Sequence, residues 1–283
     1  MNDLSTIYLP VQRIIPFSNV EGIGNRTSIF LQGCNINCLY CHNPETIAIS
    51  SPTAKYMSLE KLLEEIKASM PFIRGITVSG GEPTIYAKEL TFLFQEVHKL
   101  GLTCYIDSNG FFPYDAISSL IEETDRFLYD IKGTGEGLKQ LCFSKAFLRP
   151  SMFEWQKKEL SSEIRPTLQE VYGREEADNL TGTEDRQIME RNMINLRKLL
   201  AEDKVEEVRL VYVKGFYDEK RTVEQIAEAL KDYPQVLFKL IRVHNKGARG
   251  PKEIALNMPT REEARSLAEY AKNLGLVKQV LIL

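Results

Sequence analysis

TSIFLQGCNINCLYCHNPE (27–45) runs from a β-branched and aromatic segment straight into three cysteines, Cys34, Cys38 and Cys41, with His42 directly after the last. The first seven residues read as a strand, and no helical period separates them from the cysteines. A strand that ends in a loop of chemistry-bearing residues is how parallel βα barrels place their sites. The rest of the chain repeats the same beginning. GITVSG (75–80), LTCYIDS (102–108), RFLYDI (126–131), EVRLVYV (207–213) and VLFKLIRV (236–243) read as further strands. Segments 58–70, 87–101, 115–123, 184–201, 219–233 and 260–275 carry the i, i+3, i+4 apolar period of helices. Six βα units in succession predict an α/β fold, a parallel sheet curled into a partial (β/α)6 barrel, with VKQVLIL (277–283) as an extra strand at the rim.

One stretch breaks the rhythm. Residues 136–178 follow the fourth strand and are too long for an ordinary βα loop. They predict a helical insertion within a single domain spanning 1–283. The insertion holds the only tryptophan, Trp155, together with Leu138, Leu141, Phe147, Leu148, Met152 and Phe153. Its aromatic residues suit docking of a partner protein, and a helical cover over the barrel is the alternative.

Composition narrows the function. The 283 residues, 43% of them apolar, are enough for a sizeable core. A net charge of −3 from 36 basic and 39 acidic residues gives no reason to expect nucleic acid as a partner. The N-terminal MNDLSTIYLPVQRIIPFSNV lacks a basic region followed by an apolar one, and no run approaches the ~20 apolar residues that span a bilayer. A cytoplasmic protein with no membrane partner is expected. In a reducing cytosol, five cysteines with three crowded together point to metal or redox use of the trio. Cys104 and Cys142 read as ordinary buried or insert cysteines.

Three chemistries suit the trio. A haem attached through Cys38-Leu-Tyr-Cys41-His42 requires export and leaves Cys34 unexplained. A zinc ion on Cys34, Cys38, Cys41 and His42 strains the adjacent last two ligands. An iron–sulfur cube wants four ligands and finds three here, which leaves one iron open to a small molecule with amino and carboxylate groups. Zinc and the cube both stand at this level, the cube ahead.

Further candidates lie at later strand ends. In SGGEPT (79–84) the paired glycines let backbone approach a ligand closely, and Glu82 could accept a bond from an ammonium group. YIDSNGFF (105–112) and YDIKGTG (129–135) offer Asp107, Asn109, Asp130 and Lys132, the lysine able to pair with a carboxylate. Caps and turns are the plain alternative for Asn109. The glycines of GTGEG (133–137) miss the order of a dinucleotide site. His244, in LIRVHNKGARG, sits just beyond the sixth strand.

With these segments around it, C-x-x-x-C-x-x-C resembles the signature of the radical S-adenosylmethionine enzymes, over most of the chain apart from 136–178. EGIGNRTSIFLQGCNINCLYCHNPETI (21–47) further resembles the activases of glycyl radical enzymes, in which D-G-P-G-x-R-x-x-x-F precedes the cysteines and C-H-N-P-E follows them. The resemblance implies one [4Fe–4S] cluster on Cys34, Cys38 and Cys41 and a barrel of the radical S-adenosylmethionine type. It implies S-adenosylmethionine held by Tyr40, Gly80, Gly81, Glu82, Asp107, Asn109, Asp130, Lys132 and His244, with Gly-Gly-Glu on the methionyl amino group. Asp130 and Lys132 are the implied catalytic pair. The implied activity is reductive cleavage of that cofactor and removal of a hydrogen from one glycine of a partner enzyme, with flavodoxin or ferredoxin as electron donor.

Glu21 and Arg26 are expected at the entrance, facing the partner peptide. The family's aspartate and proline become Glu21 and Ile23, and its V-P-G becomes Val213-Lys214-Gly215. SPTAKYMSLEKLLEEI (51–66) runs into a helix with no cysteine-rich insert, so a second cluster is not expected and the chain is like the short pyruvate formate-lyase type. A radical enzyme acting on a small molecule, of the deazaguanine synthase kind, shares the early motifs but not C-H-N-P-E. A non-enzymatic iron–sulfur or zinc redox module leaves Gly-Gly-Glu unexplained.

Overall fold

In a computed structural model describing residues 3–143 and 185–283, the six expected strands are all present. They are β2 (Arg26–Leu31), β4 (Gly75–Gly80), β5 (Thr103–Ser108), β6 (Arg126–Ile131), β7 (Val205–Tyr212) and β8 (Leu237–Arg242), and each is parallel to the next. β9 (Gln279–Ile282) adds in parallel beyond β8, as the rim strand expected there. Two strands complete the sheet: β1 (Tyr8–Ser18), antiparallel to β2, and β3 (Lys55–Ser58), antiparallel to β1. The order β3-β1-β2-β4-β5-β6-β7-β8-β9 leaves the sheet open, with β3 and β9 as its edges.

The two faces of the sheet differ because side chains alternate along a strand. Ile76, Val78, Cys104, Ile106, Phe127, Tyr129, Val208, Leu210, Phe238 and Leu240 are buried in one cluster with the apolar stripes of the flanking helices. The opposite face is polar and bonded across strands: Ser79 donates to Asp107 at 2.9 Å, Arg209 pairs with Asp107 at 3.1 Å, and Lys239 pairs with Glu207 at 2.6 Å. One face therefore holds the fold together while the other is furnished with charge.

The helices are α1 (Leu59–Ser69), α2 (Ala87–Lys99), α3 (Ser118–Glu123), α4 (Gly135–Cys142), α5 (Asp185–Ala201), α6 (Glu219–Leu230), α7 (Pro251–Leu256) and α8 (Arg261–Asn273). Several starts are set by side-chain caps. Ser58 accepts from the Lys61 amide, Asp218 from that of Arg221, and Thr260 forms a capping box with Glu263. Among the described residues no helix is long and apolar enough to cross a membrane.

One expectation changes. The segment 51–66 does not run straight into a helix, since β3 precedes α1 and extends the sheet beside β1. Residues 136–142, the start of the expected insertion, lie in α4, whose Leu138, Leu141 and Cys142 are fully buried in the main core. An amphipathic turn following a strand is drawn onto the sheet like any other βα helix. The remainder of the expected insertion, 144–178 with Phe147, Leu148, Met152, Phe153 and Trp155, lies outside the described residues.

Candidate active site

β2 delivers the chain to a turn at Gly33, whose φ of 101° is open to glycine and costly for other residues. From there the cysteine loop is tied on three sides. Gly33 and Cys34 donate backbone bonds to Thr46 and Ile47 at 2.8 and 3.1 Å. Asn37 and Leu39 donate to the carbonyls of Cys142 and Leu141 at the end of α4, at 2.8 and 2.9 Å. Gly250 and Arg249 donate to Leu39 and Cys41, and the Arg249 guanidinium reaches the carbonyls of Asn37 and Cys38. The residues after the last cysteine are held in turn: Arg13 of β1 donates to the Asn43 side chain at 2.7 Å and pairs with Glu45 at 3.3 Å.

Cys34 and Cys38 are buried and Cys41 is half-buried. Burial pushes the Cys34 thiol up, and that of Cys41 to about 11. Cys38 goes the other way. The hydrogen bond shared with Cys142, whose sulfur is 3.3 Å away, together with the Lys132 charge, outweighs its burial. The buried Tyr40 hydroxyl has no hydrogen-bond partner among the described residues.

The strand ends gather around this loop. At the end of β5 the Asn109 amide donates to the Cys34 sulfur at 3.8 Å and to the Asn35 side chain at 2.7 Å. At the end of β6, Lys132 lies 2.6 Å from Asp130 and 5.6 Å from the centre of the Tyr40 ring. Burial opposes the lysine's charge, but Asp130 outweighs it and holds the ammonium well above its ordinary range. Beyond β8, His244 stacks on His42 with ring centres 4.1 Å apart, and its carbonyl lies 3.2 Å from His42 Nε2. Asp107, one strand over on the polar face, is shared by Ser79 and Arg209.

The Gly-Gly-Glu segment divides into two jobs. Gly80 has φ 112°, and Gly81 and Glu82 donate to the carbonyls of Leu31 and Gly33 at 2.9 and 2.8 Å. The end of β4 thus lies against the backbone that leads into Cys34. Glu82 lies inside this contact. Its carboxylate is fully buried and already accepts from the Thr84 amide and hydroxyl, the Ser108 hydroxyl and the Asn109 amide, at 3.2, 2.6, 2.9 and 2.8 Å. Three of these donors meet Oε1 and one meets Oε2, so the carboxylate braces the ends of β4 and β5.

Glu21 and Arg26 differ from expectation. Arg26 opens β2 and pairs with Ser18 and with Gly75, the first residue of β4, so it stands at the amino ends of the parallel strands. Six residues of strand, roughly 17 Å, separate that end from the cysteine loop. Its guanidinium is buried and donates to Thr77, Ile76 and Thr103, with the Tyr105 ring 3.6 Å beneath it. Glu21 lies in the connection before it, accepting from the hydroxyls of Ser18 and Ser28. Neither stands where a peptide would meet the cysteines.

Two residues were not anticipated. Arg209 could have been suspected as a charge in the middle of an apolar strand. Cys142 had no signal in its spacing, since only the packing of α4 brings it to Cys38.

Cys34, Cys38 and Cys41 offer three thiols on one loop, and Cys34 carries an amide donor. Among the described residues the ligand atoms of His98, Cys104 and Asp125 lie within 4.8 Å of one another, far from this loop in sequence.

Comparison with known proteins gives the family. Residues 28–149 match the family model described as Radical SAM superfamily. The chain is 47% identical over 283 residues, the whole of both chains, to a Haemophilus influenzae protein provisionally described as a glycyl-radical enzyme activating enzyme. It is 36% identical over 123 residues, 40% of this chain and 49% of the other, to the pyruvate formate-lyase-activating enzyme of Staphylococcus aureus. Solved structures show the likeness of fold. QueE from Escherichia coli matches at a TM-score of 0.50 and 13% identity, covering 98% of this chain and 95% of its own. SuiB of Streptococcus suis bound to its precursor peptide matches at 0.53 and 12%, covering 88% and 46%.

Proposed function

Since this chain belongs to the glycyl-radical-enzyme activating enzymes of the radical S-adenosylmethionine superfamily, we propose that Cys34, Cys38 and Cys41 hold one [4Fe–4S] cluster and that S-adenosylmethionine binds beside it. The observation that carries this reading is the meeting of the cysteine loop with the ends of β4, β5, β6 and β8. When bound, the two groups supply one electron and a primary carbon radical able to take a hydrogen atom. The chain's own residues bind and orient. Asn109 donates toward the Cys34 sulfur, and the Gly80–Gly81 backbone packs against Leu31 and Gly33, which lead into Cys34. Asp130 and Lys132 offer a paired carboxylate and ammonium to the polar parts of the cofactor, and Tyr40 and His244 line the loop. Asp107, held by Arg209, supplies a further fixed charge on the same face.

The protein substrate is a glycyl radical enzyme, which presents one glycine as a peptide loop. Glycine suits the task twice: it has no side chain to block approach, and its radical is stabilised by the flanking amides. The loop comes to the carboxyl ends of the strands, where Cys41 and His42 are the less buried part of the site. Flavodoxin or ferredoxin supplies the electron.

The test is electron spin resonance of the anaerobically reconstituted protein with cofactor, reductant and a candidate partner. A carbon-centred doublet should appear and collapse when the glycine α-hydrogen is replaced by deuterium. If every partner stays radical-free while a free nucleobase or sugar loses hydrogen to 5′-deoxyadenosine, the protein acts on small molecules instead.

Two smaller effects are expected. Asn109→Leu removes a donor from a cluster ligand, so the more negatively charged reduced state loses support and the midpoint potential moves down. Potentiometry on the loaded protein reads this, and an unchanged or higher potential would remove Asn109 from the cluster's surroundings. Lys132→Met leaves Asp130 buried without its partner and weakens cofactor binding about tenfold, by the loss of roughly 1.4 kcal/mol. Equilibrium dialysis with labelled cofactor measures it, and an unchanged Kd would reduce the pair to a structural one.

A further inference from the structure

Cys142 is not among the residues that the proposed cluster uses, yet its sulfur is 3.3 Å from that of Cys38. The approach is built into the backbone. Asn37 and Leu39, the two neighbours of Cys38, donate to the carbonyls of Cys142 and Leu141, so the end of α4 is bonded alongside the cysteine loop. Both side chains are buried. A disulfide of about 2.05 Å requires the sulfurs to close by little more than an ångström, within reach of side-chain rotation.

We propose that in the cluster-free chain Cys142 is a resolving cysteine for Cys38, converting an oxidised cluster ligand into a reversible Cys38–Cys142 disulfide. The oxidant is hydrogen peroxide, which arises wherever an oxygen-labile cluster meets air. The Cys38 thiolate attacks one peroxide oxygen, the O–O bond breaks and hydroxide leaves, giving the sulfenic acid. Cys142 then attacks the Cys38 sulfur, the S–S bond forms, the S–O bond breaks, and the departing oxygen takes the thiol proton as water. Two thiols are oxidised and one peroxide is reduced to two waters. The bond and an iron compete for the same sulfur, so the oxidised chain accepts no cluster until a thiol reductant reopens it. Without Cys142, the sulfenic acid goes on to the sulfinic acid, which thiols do not reverse. The disulfide itself does not depend on the cluster assignment, whereas its effect on loading does.

The experiment treats the cluster-free full-length chain with hydrogen peroxide, alkylates the remaining thiols and maps them by mass spectrometry. Free thiols should fall from the five of the sequence to three, with Cys38 and Cys142 in one cross-linked peptide. After dithiothreitol, the wild-type chain should recover its iron and sulfide loading, while Cys142→Ser should carry a sulfinic acid on Cys38 and lose most of it. A bond joining Cys38 to Cys34 or Cys41 instead, or equal recovery by wild type and Cys142→Ser, overturns the proposal. A Cys38–Cys142 bond in a chain that still loads iron without reductant refutes Cys38 as a cluster ligand and leaves the disulfide standing.

Discussion

Gly81→Ala is expected to abolish cluster loading and to destabilise the cluster-free chain by on the order of 4 kcal/mol. A Cβ at this position would stand 1.8 Å from the carbonyl oxygen of Gly33, 2.4 Å from its carbon and 2.9 Å from the oxygen of Thr46. All three are backbone atoms, so no side chain can swing aside. The contact is imposed by the ladder itself, because Gly81 and Glu82 are bonded to the carbonyls of Leu31 and Gly33. Relief must displace either the end of β4 or the turn that carries Cys34, and both belong to the site. Gly101→Ala is the control: its φ is 74°, nothing lies within 4 Å of its Cβ, and only the backbone penalty of about 1 kcal/mol applies. Denaturant unfolding and iron and sulfide analysis should separate the two variants. If Gly81→Ala unfolds with the wild type and loads as much iron, the close approach of these two strand ends is wrong.

Arg26→Leu should cost about 4 kcal/mol of folding stability, since it strips donors from several buried acceptors that water cannot reach. The guanidinium donates to the Thr77 hydroxyl at 2.9 Å, the Ile76 carbonyl at 2.7 Å, and the Thr103 hydroxyl and carbonyl at 3.1 and 3.0 Å. It thereby joins the beginnings of β2, β4 and β5. Burial pulls its pKa down without a carboxylate in direct contact, so hydrogen bonds and the Tyr105 ring provide its compensation. Arg26→Lys should recover little, because an ammonium lacks the planar fork that reaches several acceptors at once. Equilibrium unfolding in urea measures the loss. A residue that held the partner peptide would show the reverse, normal stability with a raised KM for the partner, and that result would return Arg26 to the entrance.

These two positions mark how far residue type carries. The strands of the barrel were legible because each alternates apolar residues toward the helices with others on the far side, as Ile76 and Val78 do around Thr77. β1 was hidden by Pro10 and Pro16 and by its many half-exposed residues, and β3 is too short to show a period. The positions of the cysteine loop, Asn109, Asp130, Lys132 and His244 at strand ends were legible because parallel strands deliver their carboxyl ends to one place, while the roles given to them rest on the family resemblance. Which charges point into that site was not legible. Arg26 has the chemistry of a ligand-binding residue, but the start of three strands closes over it, and the four donors from this chain that converge on Glu82 could not be read from residue type. The pairing of Cys38 with Cys142 is 104 residues apart in the chain, beyond any local period, and follows only from the packing of α4 against the loop. Local patterning thus determines which elements form and in what order. Burial and partner choice depend on distances between elements, and those are settled only when the elements pack.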